Sequence, residues 1–136
     1  MATQDRETNG NNNEKLVLVD KSNYEVSKRF WAFAQYSRHI RPGARRVDIS
    51  AAAATPGLRT TAFVNADGSV VVVAVNTGAA AAQLTVAGVK SKSAAAYVTD
   101  AANDMANVAP VTVWPDGTAA EIKLPARAVV TVVILQ

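Results

Sequence analysis

Pro42-Gly43 divides this chain into two kinds of sequence, and the division limits what it can fold into. Proline has no N–H for a helical ladder and disfavours helical geometry at the residue before it, so any helix upstream must end near Arg41. Upstream, residues 24–48 open with the run YEVSKRFWAFAQYSRHI. In it Val26, Phe30, Phe33, Ser37 and Ile40 recur at i, i+4, i+7, i+11 and i+14, which places them on one helical face. Ser22 and Glu25 form an S-x-x-E signature in which each side chain can satisfy a backbone N–H at a helix start. The spacing therefore predicts one amphipathic helix running from the serine to Ile40.

Downstream the helical period is gone. Val47 and Ile49 alternate with Arg46 and Asp48. Two apolar runs, 58–64 and 69–76, flank Asn65-Ala66-Asp67-Gly68, a hairpin signal because glycine accepts positive φ at no steric cost. Residues 70–75 are apolar on both faces, as a strand covered on both sides requires. Runs at 83–87, 94–99, 111–114, 119–124 and 128–135 follow, with a second turn at Pro115-Asp116-Gly117. Many short strands separated by Gly, Pro and Asp predict a mainly β fold. The expected architecture is an antiparallel β-sandwich of about eight strands preceded by one amphipathic α-helix.

At 136 residues the chain is one domain's worth, too short for a (β/α)8 barrel of about 250 residues. Hydrophobic content of 49% with 18% charge places it among globular chains, although much of the apolar count is alanine. A net charge of +3 is too mild to imply nucleic acid. There is no cysteine, hence no disulfide framework and no thiolate chemistry. No apolar run approaches the roughly 20 residues that span a bilayer, so no membrane span is expected. The first 15 residues, MATQDRETNGNNNEK, are polar, lack the apolar core of a signal peptide and are expected to be loop or disordered.

The candidate chemistry is sparse. Asp100, Asp104, Asn103 and Asn107 offer the oxygen ligands that calcium takes, but not at EF-hand spacing, and such loops are mostly ordinary turns. His39 is the single histidine, so no metal set is expected, and it flanks a helix C-terminus where a cation suits the dipole. Arg38, Arg41, Arg45 and Arg46 cluster locally, yet no nucleic-acid motif accompanies them. Trp31, Tyr36, Tyr97 and Trp114 have rings able to stack on a sugar; Trp31 and Tyr36 read as helix packing, leaving Trp114 and Tyr97 as the carbohydrate-binding candidates. No cofactor is expected.

Residues 33–47, FAQYSRHIRPGARRV, resemble the junction between the last barrel helix and the C-terminal β-domain of glycoside hydrolase family 30. The resemblance continues in TTAFVNADGSVVVVAVNTG, residues 60–78, and LPARAVVTVVI, residues 124–134. It implies three parts: a polar lead at 1–15, a remnant of the end of a (β/α)8 barrel at 16–43, and a β-sandwich at 44–136. It further implies a secreted parent that hydrolyses β-glycosidic bonds with retention in xylan, β-1,6-glucan or galactan, or glucosylceramide. The chain's partner would be that catalytic barrel, packed on Val26, Phe30, Phe33 and Ile40. Retaining hydrolysis needs two carboxylates about 5–5.5 Å apart. The four glutamates here, Glu7, Glu14, Glu25 and Glu121, match none of the family's catalytic motifs. No catalytic residue is therefore expected, and the chain alone should be inactive. Without strand material from before the barrel, it should also self-associate through an open sheet edge. The competing reading is an independent carbohydrate-binding or adhesive sandwich; an intracellular interaction domain is a third.

Overall fold

The computed structural model describes residues 3–5, 15–50 and 55–136. Short strands β1 (Thr3–Asp5), β2 (Val17–Asp20) and β3 (Asn23–Val26) form a first sheet in that order, with β1 parallel to β2 and β3 antiparallel to it. A tight turn with Lys21 at φ 52° joins β2 to β3. Here the sequence expectation needs correcting. Val26 lies on β3 opposite Val17, and Tyr24 lies opposite Val19, so the stretch assigned to the first helical turn is a strand. Tyr and Val favour a pleated ladder, and β2 supplies one. The polar lead also contributes β1, where no strand was expected; the Asn-rich tract at 9–13 lies outside the described residues.

Helix α1 spans Lys28–Ser37 and is capped by Ser27, not Ser22. The Ser27 hydroxyl accepts from Phe30 N–H at 3.4 Å and donates to the Lys15 and Leu16 carbonyls at 2.8 and 3.0 Å. One residue thus starts the helix and ties it to the chain just before β2. At the other end the last helical bond is Ile40 N–H to Tyr36 O at 3.2 Å, and the chain turns through Pro42-Gly43 as expected.

The remaining strands are β4 (Arg45–Val47), β5 (Leu58–Val64), β6 (Val70–Asn76), β7 (Ala82–Ala87), β8 (Ser93–Thr99), β9 (Ala106–Ala109), β10 (Val111–Val113), β11 (Ala119–Leu124) and β12 (Ala128–Leu135). They make a six-stranded sheet in the order β4-β5-β6-β12-β8-β9 and a three-stranded sheet in the order β10-β11-β7, antiparallel throughout. The fold is the predicted β-sandwich. Pro110 stands between β9 and β10, where the chain leaves one sheet for the other. A proline suits that corner because it has no N–H to contribute to either ladder.

The sandwich core follows from the two-residue period of the strands. Val70, Val72, Ala74, Ala96, Val98, Val130, Val132 and Ile134 face Ala120, Ile122 and Leu124 of the smaller sheet, all essentially buried. Ala82, Leu84 and Val86 alternate along β7 and close its side. The register sets a second row on the opposite face of the large sheet: Thr61, Val73, Thr131 and Tyr97 are direct cross-strand neighbours on β5, β6, β12 and β8. Helix α1 lies against β8 and β12 on that face. The double apolarity of β6 thus has its cause: Val71 and Val73 are as completely buried as Val72 and Ala74.

Candidate functional site

The most heavily built polar region is the junction where α1 meets the large sheet. Gln35 is the buried residue of α1, with no exposed surface. Its side-chain amide donates to Thr99 Oγ1 on β8 at 2.8 Å, while Thr131 Oγ1 on β12 bonds the Gln35 backbone carbonyl at 2.7 Å and also reaches its side-chain oxygen. Thr99 additionally accepts from Met105 N–H at 3.1 Å. Every polar atom of Gln35 is satisfied, as burial in a dry interface demands.

One turn on, the β5–β6 hairpin grips the chain after the helix. Its turn, Asn65-Ala66-Asp67-Gly68, places Gly68 at φ 83°, a value costly for any other residue. Asn65 Nδ2 donates to His39 O and Ser69 Oγ, each at 3.0 Å, and Asn65 Oδ1 accepts from Arg41 N–H at 3.0 Å. Asp67 accepts from the backbone and hydroxyl of Ser69 at 2.9 and 2.6 Å, which holds its carboxyl below the usual range. The sequence marked this turn as a hairpin; its second use, as a clamp on the helix exit, was invisible because it depends on a partner 24 residues upstream.

The His39 ring stacks on Tyr97 with centroids 4.4 Å apart and planes 28° from parallel, and the Arg38 guanidinium lies 5.9 Å from the centre of the same tyrosine ring. Tyr97, a candidate sugar platform on sequence grounds, is thus half-buried with its ring engaged by the junction. Trp114 is 41% exposed at the head of the β10–β11 turn. Asp116 sets that turn by accepting from the backbone and hydroxyl of Thr118 at 3.0 and 2.8 Å. Of the four apolar residues assigned to interdomain packing, Phe33 is 64% exposed on the flank of α1 away from the sheet. Val26, Phe30 and Ile40 are half-buried, with Phe30 edge-on to Trp31 at 5.2 Å. Tyr24 and Tyr36 are also exposed.

A shallow cleft of about 420 Å³ opens between the start of α1, the end of β8 and the β11–β12 turn, lined by Lys28, Arg29, Thr99, Asp100 and Arg127 among others. Lys28 pairs with Asp104 at 2.6 Å. Asp100 Oδ1 accepts from Ala102 N–H, Asn103 N–H and the Asn103 amide at 2.8–2.9 Å. Burial pushes its carboxyl up, but those bonds and nearby Lys28 outweigh it and hold it low. The Asp/Asn loop is therefore an ordinary side-chain-closed turn. Among the described residues no three His, Asp or Glu side chains gather as a metal set, and no helix is long and apolar enough to cross a membrane. Glu25 lies on β3 and Glu121 on β11, in different sheets; Glu7 and Glu14 lie outside the described residues.

These features define a β-sandwich domain with a polar-anchored helix on the outer face of its larger sheet. Residues 43–132 match the glycosyl hydrolase family 30 beta sandwich domain, and the chain belongs to that family. A solved structure similar to it, the catalytic domain of GH30 xylanase C from Talaromyces cellulolyticus, is 32% identical with a TM-score of 0.84. That likeness covers 100% of this chain and 30% of the xylanase chain. A GH30 endoxylanase from Clostridium papyrosolvens C71 is 30% identical over 82% of this chain and 28% of its own, with a TM-score of 0.72. A glucosylceramidase-like protein of Caenorhabditis elegans is 47% identical over 49 residues, 36% of this chain and 9% of that protein. The chain thus spans less than a third of the length of these relatives, and in such homologues the domain accompanies a family 30 catalytic barrel.

Proposed function

We propose that this chain is the non-catalytic, supporting portion of a secreted retaining β-glycosidase, with α1 as the element shared between the sandwich and a catalytic barrel. The observation that carries the reading is the two-sided helix. Gln35 is completely buried against the sandwich, while Phe33, two residues away and so on the opposite flank, is 64% exposed. A helix whose most buried residue is polar and whose exposed flank is aromatic is oriented for a second partner. Xylan is the favoured substrate of the parent, since the two solved relatives that are 30% and 32% identical to this chain are described as xylanases.

A contact with polysaccharide at Trp114 is the second part of the proposal. An exposed indole at a rigid turn suits the C–H face of a sugar ring. The test is a pull-down and hydrolysis assay of the chain on insoluble xylan and a β-1,6-glucan, beside Trp114→Ala. No reducing sugar is released on either, and retention on xylan falls in the variant. Release of reducing sugar by the chain alone would overturn the non-catalytic reading. Absence of retention, or retention unchanged in the variant, would remove the sugar contact and leave the supporting role.

A further inference from the structure

We propose that the α1–sandwich junction is an acid-sensitive latch, in which protonation of His39 loosens the helix from the large sheet. The device is geometric first. The imidazole lies flat on Tyr97, and its Nε2 is buried with no hydrogen-bond partner among the described residues. Asn65 holds the backbone just after it, at His39 O and Arg41 N, which anchors the segment that carries the ring. A neutral imidazole tolerates this place. An imidazolium would bring a second N–H donor to a buried site without an acceptor.

The groups around it are of one sign. Arg38 and Arg41 flank His39 on its own segment, and Arg38 shares the Tyr97 ring. From β8 the facing group is the neutral Tyr97 phenol ring, and from the β5–β6 hairpin it is the neutral Asn65. The hairpin's carboxylate, Asp67, is committed to Ser69. Asp100 and Asp104 lie at the opposite end of α1, where Asp104 pairs with Lys28. Burial, then Arg38, then Arg41 hold the imidazole below its ordinary value of 6.5. The unfolded or released segment therefore takes up the proton first. Docking is at full strength above pH 6.5, weakens as pH falls below it, and levels off below the lower folded value.

The chain suits the test because His39 is its single histidine. Its ring resonances are unambiguous, and in the window from about pH 7 to about pH 5 few other side chains change charge. The ring should titrate below its ordinary value by NMR. Between about pH 7.5 and about pH 5.5, amide protection in α1 should fall relative to β6 and β12, after correction for intrinsic exchange. In His39→Phe, which keeps a stacking ring and cannot titrate, that relative loss should vanish. His39→Gln serves the same purpose if the phenylalanine variant does not fold. Titration at or above the ordinary value, equal loss of protection across helix and sheet, or the same acid loss in both variants would overturn the latch.

Discussion

The two faces of the six-stranded sheet are built from the same strands by opposite means. Toward the smaller sheet, β6 and β12 present Val70, Val72, Val130, Val132 and Ile134, all buried and free of polar atoms. Toward α1, one residue along the same strands, they present Val71, Val73 and Thr131, and the helix answers with Gln35. The apolar face gains its stability from area alone, about 1.5–3 kcal/mol for each fully buried Val or Ile, and tolerates small slides. The polar face does not. Gln35 bonds to Thr99 and Thr131 in one register only, and a shift of one residue would break both side-chain bonds and leave the buried amide of Gln35 without them. The sandwich face therefore holds the domain together, and the helix face fixes the angle of α1 on it.

The largest effect should come from the apolar face. Ile122 is 2% exposed in the middle of β11, and Ile122→Ala should cost about 2–4 kcal/mol through lost burial and the cavity left behind. A drop in the urea midpoint with unchanged slope is the expected reading. A loss below about 1 kcal/mol would mean the two sheets close over the gap, and the contrast between the faces would weaken.

Next comes the helix face, with a less uniform outcome. Gln35→Ala leaves a buried space and removes one of the two partners of the Thr99 hydroxyl, a loss of about 2 kcal/mol. Gln35→Leu should restore most of that stability, because it fills the space while Thr131 keeps the backbone carbonyl of residue 35 and Thr99 keeps Met105 N–H. If the side-chain bonds serve orientation, Gln35→Leu should stay stable while amide protection in α1 falls. Equal protection in Gln35→Leu and the parent would show that apolar packing alone sets the helix angle.

How far this arrangement was legible in the sequence follows from the same contrast. The sandwich face obeys a period of two, and its strand runs other than β9, both turns and the twofold burial of β6 could be read directly. The helix face obeys no such rule. Phe33 was assigned to packing on a separate partner and is exposed here, but no period marked that the flank turned to the sandwich centres on Gln35. Nothing local distinguishes a glutamine that will meet two threonines 64 and 96 residues away from one that will meet water. The helix start was misplaced for a related reason: Ser22 and Ser27 both carry cap chemistry, and pairing of Tyr24 and Val26 with β2 decided between them. Tyr97 was likewise legible as an aromatic and illegible as the seat of His39, since that stacking joins residues 58 positions apart.

The smallest expected effect on this chain tests the other flank of α1. Phe33→Ser alters a side chain that is 64% exposed, and surface substitutions of that kind usually stay within about 0.5 kcal/mol. Serine lowers helix propensity by a few tenths at most, and Gln35 with its partners is untouched. The chain's own unfolding midpoint should therefore hardly move. A catalytic barrel supplied separately should bind the variant more weakly than the parent, because the substitution removes apolar area from an exposed flank of this helix. The two readouts divide the helix in a way neither does alone. Stability lost without loss of association would place Phe33 in the domain's own core, and association lost at constant stability would make α1 a hinge pin with one polar and one aromatic bearing.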